Sequence, residues 1–151
     1  MKNSYVAFAV IILSLQLSGC ENDELFKNSL KKWNKSGIRD YSIKVRFSAF
    51  SPLAGVWELN VKDGSIINCS FNSKTADDCN KAEMLTMDNL YKIAPDGITG
   101  GKNEPFVFEI TYDKNGLIKS LAKIKNPKFK NKVKTDSTFK IEVVEFIPAG
   151  R

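Results

Sequence analysis

Histidine is absent from this chain of 151 residues, and cysteine, tryptophan and arginine are scarce. The lack of histidine excludes the usual general base, the usual metal ligand and every Ser-His or Cys-His catalytic pair. The fractions of hydrophobic residues (42%) and charged residues (26%) are ordinary. They argue against disorder, collagen-like repeats and a protein that crosses a membrane several times. The composition is therefore typical of a folded domain with few routes to catalysis.

The first nineteen residues have the pattern of a bacterial lipoprotein signal peptide. Lys2 supplies a positive start, and an apolar run from 5 to 17 is broken only by Ser14 and Gln16. This run is shorter than the roughly 20 residues of a spanning helix and is typical of a signal-peptide core. It ends in the tetrapeptide Leu-Ser-Gly-Cys at 17–20, which resembles a lipobox, where cleavage falls just before the cysteine.

This interpretation divides the chain into three parts. Residues 1–19 are the cleaved signal peptide, 20–24 the lipidated N-terminus with a short linker, and 25–151 a single α+β domain. Cys20 becomes the first mature residue and carries acyl chains such as palmitate, and two or three chains make a durable anchor. We therefore expect membrane lipid as a partner and the bacterial cell envelope as the location. Since Glu21 is not the residue usually linked with inner-membrane retention, the outer membrane, facing the periplasm, is the default destination.

Two further cysteines, Cys69 and Cys79, follow the export signal. An exported domain meets an oxidising compartment, where such a pair most simply forms a disulfide. A metal site is disfavoured because two thiolates without histidine leave the coordination incomplete. A catalytic thiol would need a base, which histidine cannot supply here. Whether the two residues pair is left open by the sequence.

Apolar periodicity predicts two helices and six strands. A helix over 24–35 precedes strands around 41–48 and 57–62 and a third strand with Ile67, Cys69 and Phe71 on one face. After a polar, turn-rich segment at 72–85, Thr86 is expected to cap a second helix. Strands at 106–112, 117–125 and 138–147 follow. The last changes phase at 143–144, which indicates a bulge or burial on both faces.

Hairpin turns are predicted where aspartate and glycine occur together, at 63–64 and 113–116. Hairpins imply antiparallel pairing, and two amphipathic helices suffice to cover one face of a sheet. The predicted class is α+β, with an antiparallel β-sheet of about five to six strands and two helices packed on one face. The order of elements is α-β-β-β-α-β-β-β.

Four short motifs follow one another along the chain: Trp33 with Asp40-Tyr41, the hairpin at 61–64, the helix start at 86–90 and the turn at 112–116. Together they resemble an uncharacterised bacterial lipoprotein family catalogued as domain of unknown function 6174. The resemblance covers roughly 30–125 and implies no activity, substrate or catalytic residue. Many members are rich in cysteine just after the first strand, where this chain has Phe-Ser-Pro at 50–52, so no family disulfide is carried over.

Seven lysines and no acidic residue lie between 119 and 134. A run of like charge is usually a solvated loop, and lysine also protects sheet edges. The alternative is attraction to an anionic partner, because lysine is a flexible point charge. The candidate residues for such a surface are Lys125, Lys128, Lys130, Lys132 and Lys134.

Other candidate sites fit poorly. The turn at 113–116 resembles the start of a calcium loop, but the twelfth position is Ile124 instead of glutamate. The glycine-rich segment 97–102 lacks the spacing of a phosphate loop. Trp33, Gly37 and Asp40 are expected to serve the core and the turn into the first strand rather than a ligand. We therefore expect no metal, no cofactor and, in this compartment, no nucleic acid.

The sequence thus predicts a membrane-anchored envelope lipoprotein that acts as a non-enzymatic binding or scaffolding module. It binds an anionic envelope surface or a partner protein. One alternative is a small inhibitor or assembly accessory that grips a partner protein through exposed loops at 96–105 or 126–136. Another is a hydrolase that uses carboxylates alone, which would need two of them several ångströms apart in a cleft.

Overall fold

A computed structural model describes residues 18–94, 105–129 and 137–150. The elements are α1 (Ser18–Ser36), β1 (Tyr41–Ala49), β2 (Gly55–Lys62), β3 (Ser65–Phe71), β4 (Lys74–Thr75), a 3₁₀ helix (Cys79–Leu85), α2 (Met87–Ile93), β5 (Phe106–Tyr112), β6 (Ile118–Lys125), a short 3₁₀ turn (Pro127–Phe129) and β7 (Phe139–Pro148). The α+β class is confirmed, and the eight predicted elements occur in the predicted order. β4 and the two 3₁₀ segments are additional.

The described strands form one antiparallel sheet in the order β4-β3-β2-β1-β7-β6-β5. β1 lies at its centre, and its side chains alternate between the two faces, with Tyr41, Ile43, Val45 and Phe47 buried. The predicted turn joins β2 to β3, where Asp63 and Gly64 both have positive φ (49° and 77°). Two consecutive positive φ angles are what a two-residue hairpin of type I′ requires.

The two helices contribute to one core on a single face of the sheet. Phe26, Ser29 and Trp33 are the buried residues of α1, and they follow the spacing of one helix face. The Trp33 ring packs edge-on against Tyr41 of β1, with ring centroids 5.8 Å apart, and stacks on Tyr91 of α2 at 6.4 Å. Aromatic contacts therefore join both helices to the central strand.

The opposite face of the sheet is polar. Lys44 forms an ion pair with Glu58 at 2.7 Å, and Arg46 with Glu142 at 3.2 Å. Exposed pairs of this kind stabilise a fold by only about 0–1 kcal/mol. The face is thus adapted to water, and the stability of the sheet comes from the helix side.

A bulge corrects the prediction that Ile67 lies on the buried face. Asn60 pairs with Asn68, whereas Val61 pairs with Ile66, so Ile67 has no partner residue in β2. The extra residue turns Ile67 outward, where it is 65% exposed, and Ile66 takes the inner position. The bulge predicted in the last strand is confirmed, since the pairing of β1 with β7 skips Val144.

Two segments are more ordered than the sequence predicts. α1 begins at Ser18, so this helix starts earlier than the predicted residue 24. The acidic residues at 21, 23 and 24 favour this extension because they lie near the positive end of the helix dipole. The turn-rich segment 72–85 contains β4 and a 3₁₀ helix that buries Ala82 and Leu85.

Candidate functional site

Cys20 lies within the backbone of α1, near its start. The first buried side chain after it belongs to Phe26, six residues further along the same helix. At about 1.5 Å per residue, the attachment point predicted from the lipobox is about 9 Å along the axis from the packed core. An anchor at Cys20 would therefore be joined to the body of the domain by helix.

Cys69 and Cys79 are placed as a disulfide, with sulfurs 2.08 Å apart and Cα atoms 5.7 Å apart. Cys69 is buried on β3, and Cys79 begins the 3₁₀ helix. The bond fastens that helix to the sheet. It thereby also holds Thr86, whose hydroxyl accepts the backbone N–H of Asn89 and caps α2 as predicted.

The predicted lysine surface is described only in part. Lys125 lies half-buried at the end of β6, and Lys128 is exposed in the 3₁₀ turn. Buried Asn126 orders this turn, because its carboxamide oxygen accepts the Lys128 N–H at 3.1 Å. The remaining lysines, Lys130, Lys132 and Lys134, lie outside the described residues, as does most of the two loops proposed to grip a partner.

A groove of about 760 Å³ lies between the C-terminal half of α1, the β2–β3 turn, the 3₁₀ helix and the start of α2. Sequence reasoning did not find this groove, because it is built from four segments distant along the chain. Its polar lining includes both charge signs and several amides. The main polar residues are Asn34, Arg39, Asn80, Glu83, Asp88, Asn89 and Lys92.

Two hydrogen bonds with buried aromatic residues hold α2 in place beside the groove. The Trp33 indole N–H donates to the Asp88 carboxylate at 2.7 Å. The Met87 backbone N–H donates to the Tyr41 hydroxyl at 3.1 Å. Burial, opposed in part by that hydrogen bond, raises the pKa of Tyr41 to about 12. One carboxylate of the groove is thus already committed to holding α1 against α2.

The predicted structural roles around this groove are confirmed. Trp33 is only 4% exposed, and Gly37 has a φ of 61° just after α1. The Asp40 carboxylate accepts the Asp63 N–H at 2.8 Å and so orders the start of β1 against the β2–β3 turn. The predicted turn at 113–116 is also present, with the Asp113 carboxylate accepting N–H groups of Asn115 and Leu117.

A second hollow, of about 650 Å³, lies on the polar face of the sheet. Phe50 stands beside it and is 90% exposed, while the small side chain of Ala122 is 8% exposed. Glu109 and Lys140 carry opposite charges at this hollow. The exposed Phe50 ring thus lies beside a shallow hollow in the sheet surface. No sequence pattern predicted this hollow.

Metal-binding clusters and membrane-spanning helices were both sought among the described residues. Within them, no group of three or more histidine, cysteine, aspartate or glutamate side chains is placed to hold a metal ion. No described helix combines the length and apolar character needed to cross a bilayer.

A family model described as a family of unknown function (DUF6174) matches residues 25–122. The match starts within α1 and ends in β6, so β7 lies beyond it. Searches of curated proteins and of solved structures found no match.

Proposed function

Because the chain belongs to the DUF6174 family, whose description names no activity, we propose its function from the residues themselves: an envelope lipoprotein acylated at Cys20, whose domain is a non-enzymatic binding or scaffolding module. The observation that carries the proposal is the tetrapeptide Leu-Ser-Gly-Cys at 17–20, which follows a basic start and a short apolar run. The outer membrane is its proposed destination.

The position of α1 supports this proposal. The helix backbone includes Cys20, and Phe26 and Trp33 of the same helix are packed into the core. Burial of acyl chains contributes about 0.8 kcal/mol per CH₂ group, so two chains would hold the domain firmly. With only about 9 Å of helix between anchor and core, the domain would stay within its own diameter of the lipid.

The non-enzymatic part of the proposal rests on which groups are already engaged. Of the two carboxylates in the described lining of the groove, Asp88 accepts the Trp33 indole N–H and so has a structural role. Cys69 and Cys79 are bonded to each other. Histidine is absent from the whole sequence. A binding module needs neither a free thiol nor a histidine, so these features are compatible with a binding role.

The test compares a variant that lacks the cysteine at position 20 with a variant that lacks the two cysteines of the disulfide. Cys20→Ser should abolish acylation of the N-terminal peptide and move the protein from the membrane pellet to the soluble fraction. The matched control, Cys69→Ala with Cys79→Ala, should remain acylated and in the pellet. Mass spectrometry of the N-terminal peptide and fractionation at high salt supply the readouts. An unmodified Cys20 in the wild-type protein, or a Cys20→Ser variant that still pelleted with membranes, would refute the proposal.

A further inference from the structure

The outer face of α1 carries a row of lysines. Lys27, Lys31 and Lys35 are spaced four residues apart and are all exposed. Residues four apart lie above one another on a helix, so the three ammonium groups follow one line. On the other side of the helix, Phe26 and Trp33 are buried in the core. The lysine row therefore faces away from the sheet.

Charge is strongly segregated along this helix. The acidic residues Glu21, Asp23 and Glu24 all lie in its first third, where the helix dipole favours them. From 25 to 39 the sequence has five basic residues and no acidic residue. Lys27 lies one helical turn after Asp23 and Glu24, whereas Lys31 and Lys35 have no acidic residue three or four positions away in the sequence. The positive charge therefore dominates the second half of the row.

The orientation of α1 decides whether the lysine row reaches lipid. A rise of 1.5 Å per residue puts Lys27 about 10 Å, Lys31 about 16 Å and Lys35 about 22 Å from Cys20 along the helix axis. Since the Debye length at physiological ionic strength is about 8 Å, an upright helix would leave all three charges screened from the surface. A helix lying along the membrane would bring all three ammonium groups to the headgroups.

We propose that the Lys27–Lys31–Lys35 row of α1 is a membrane-contact surface that binds anionic lipid headgroups and lays the helix along the bilayer. The inference rests on acylation at Cys20 and goes beyond it by giving the domain a fixed orientation. Anionic lipid is the favoured occupant over an acidic protein, because the row belongs to the helix that starts at the acylated residue. In this orientation one side of the sheet domain rests on the membrane.

The experiment uses the acylated protein in two sets of vesicles, one of phosphatidylcholine alone and one that also contains phosphatidylglycerol. A water-soluble amine reagent labels exposed lysines, and mass spectrometry measures the rate at each position. Lys62, Lys74 and Lys140, which are exposed on the sheet, are the matched controls. We expect labelling of the lysine row to slow about fivefold per residue on the anionic vesicles, which corresponds to the attraction of one lysine to such a surface.

This protection should disappear at high salt, whereas the three control lysines should react at the same rate in both vesicles. Equal rates at the lysine row in both vesicles would overturn the inference, as would protection that does not depend on lipid charge. The latter result would instead point to a contact within the protein or between proteins. The mass of the N-terminal peptide in the same samples separates the two proposals. Missing acyl chains refute the anchor, whereas an acylated protein without protection refutes only the orientation.

A variant pair gives a second readout. Replacing Lys27, Lys31 and Lys35 by glutamine should abolish the salt-dependent orientation. The readout is hydrogen exchange on anionic vesicles, in which the peptides of α1 should lose their protection. Replacing Lys62, Lys74 and Lys140 by glutamine removes the same charge and should change nothing. Identical exchange for the two variants would overturn the inference.

Discussion

Breaking the disulfide between Cys69 and Cys79 should destabilise the domain by a predictable amount. The bond joins residues separated by 10 positions, and the loop-closure entropy of a loop of that length corresponds to about 2.7 kcal/mol at 25 °C. Folding stabilities of single domains are only about 5–15 kcal/mol, so the effect is a large part of the total.

Equilibrium urea unfolding, followed by fluorescence of the buried Trp33 and Trp57, measures this effect. The wild-type protein with reductant and the Cys69→Ala, Cys79→Ala double variant should both lose about 2–3 kcal/mol. The wild type without reductant is the control, and the slope against urea should stay similar if the native contacts persist. A midpoint that reductant does not move, with the cysteines shown to be reduced, would refute the reasoning.

Three further outcomes follow from the buried tyrosines and one close contact. Tyr41→Phe should lower the free energy of unfolding by about 1–3 kcal/mol, because it leaves the buried Met87 N–H without its acceptor. Tyr112→Phe should lower it little, since that hydroxyl is buried with no partner among the described residues. Equal losses in urea unfolding would contradict this account. Burial raises the pKa of both tyrosines to about 12, so their contribution to stability should be constant below pH 10 and should fall between pH 10 and 12 as the unfolded chain ionises first. A urea midpoint unchanged from pH 9 to 11.5 would count against this account. Gly55→Ala should lower the free energy of unfolding by about 1–3 kcal/mol, because the new methyl group would lie 2.5 Å from the Phe71 ring. A thermal midpoint equal to that of the wild type would show that the ring moves freely.

The local elements of the fold were predictable because their signals are local. Alternation in β1, the aspartate-glycine turn and the threonine cap of α2 each depend on residues a few positions apart. Even the bulge in β7 left a trace as a change of phase at 143–144. These features need only the preferences of side chains for one face of a strand or one end of a helix.

What could not be predicted depends on contacts between distant segments. The prediction for Ile67 is wrong because the bulge at this residue is set by the pairing of β3 with β2. The groove and the Trp33–Asp88 hydrogen bond each bring together segments that are far apart along the chain. The hollow beside Phe50 is likewise lined by residues of distant strands.

The position of β7 has a consequence for how the chain comes together. This strand lies between β1 and β6 in the middle of the sheet, although it is the most C-terminal of the described strands. Until it has been synthesised, the two hairpin halves share no backbone ladder, and the long-range pairing it supplies is slow to form. The sheet of a nascent chain with this topology therefore stays in two separate parts until β7 has been synthesised.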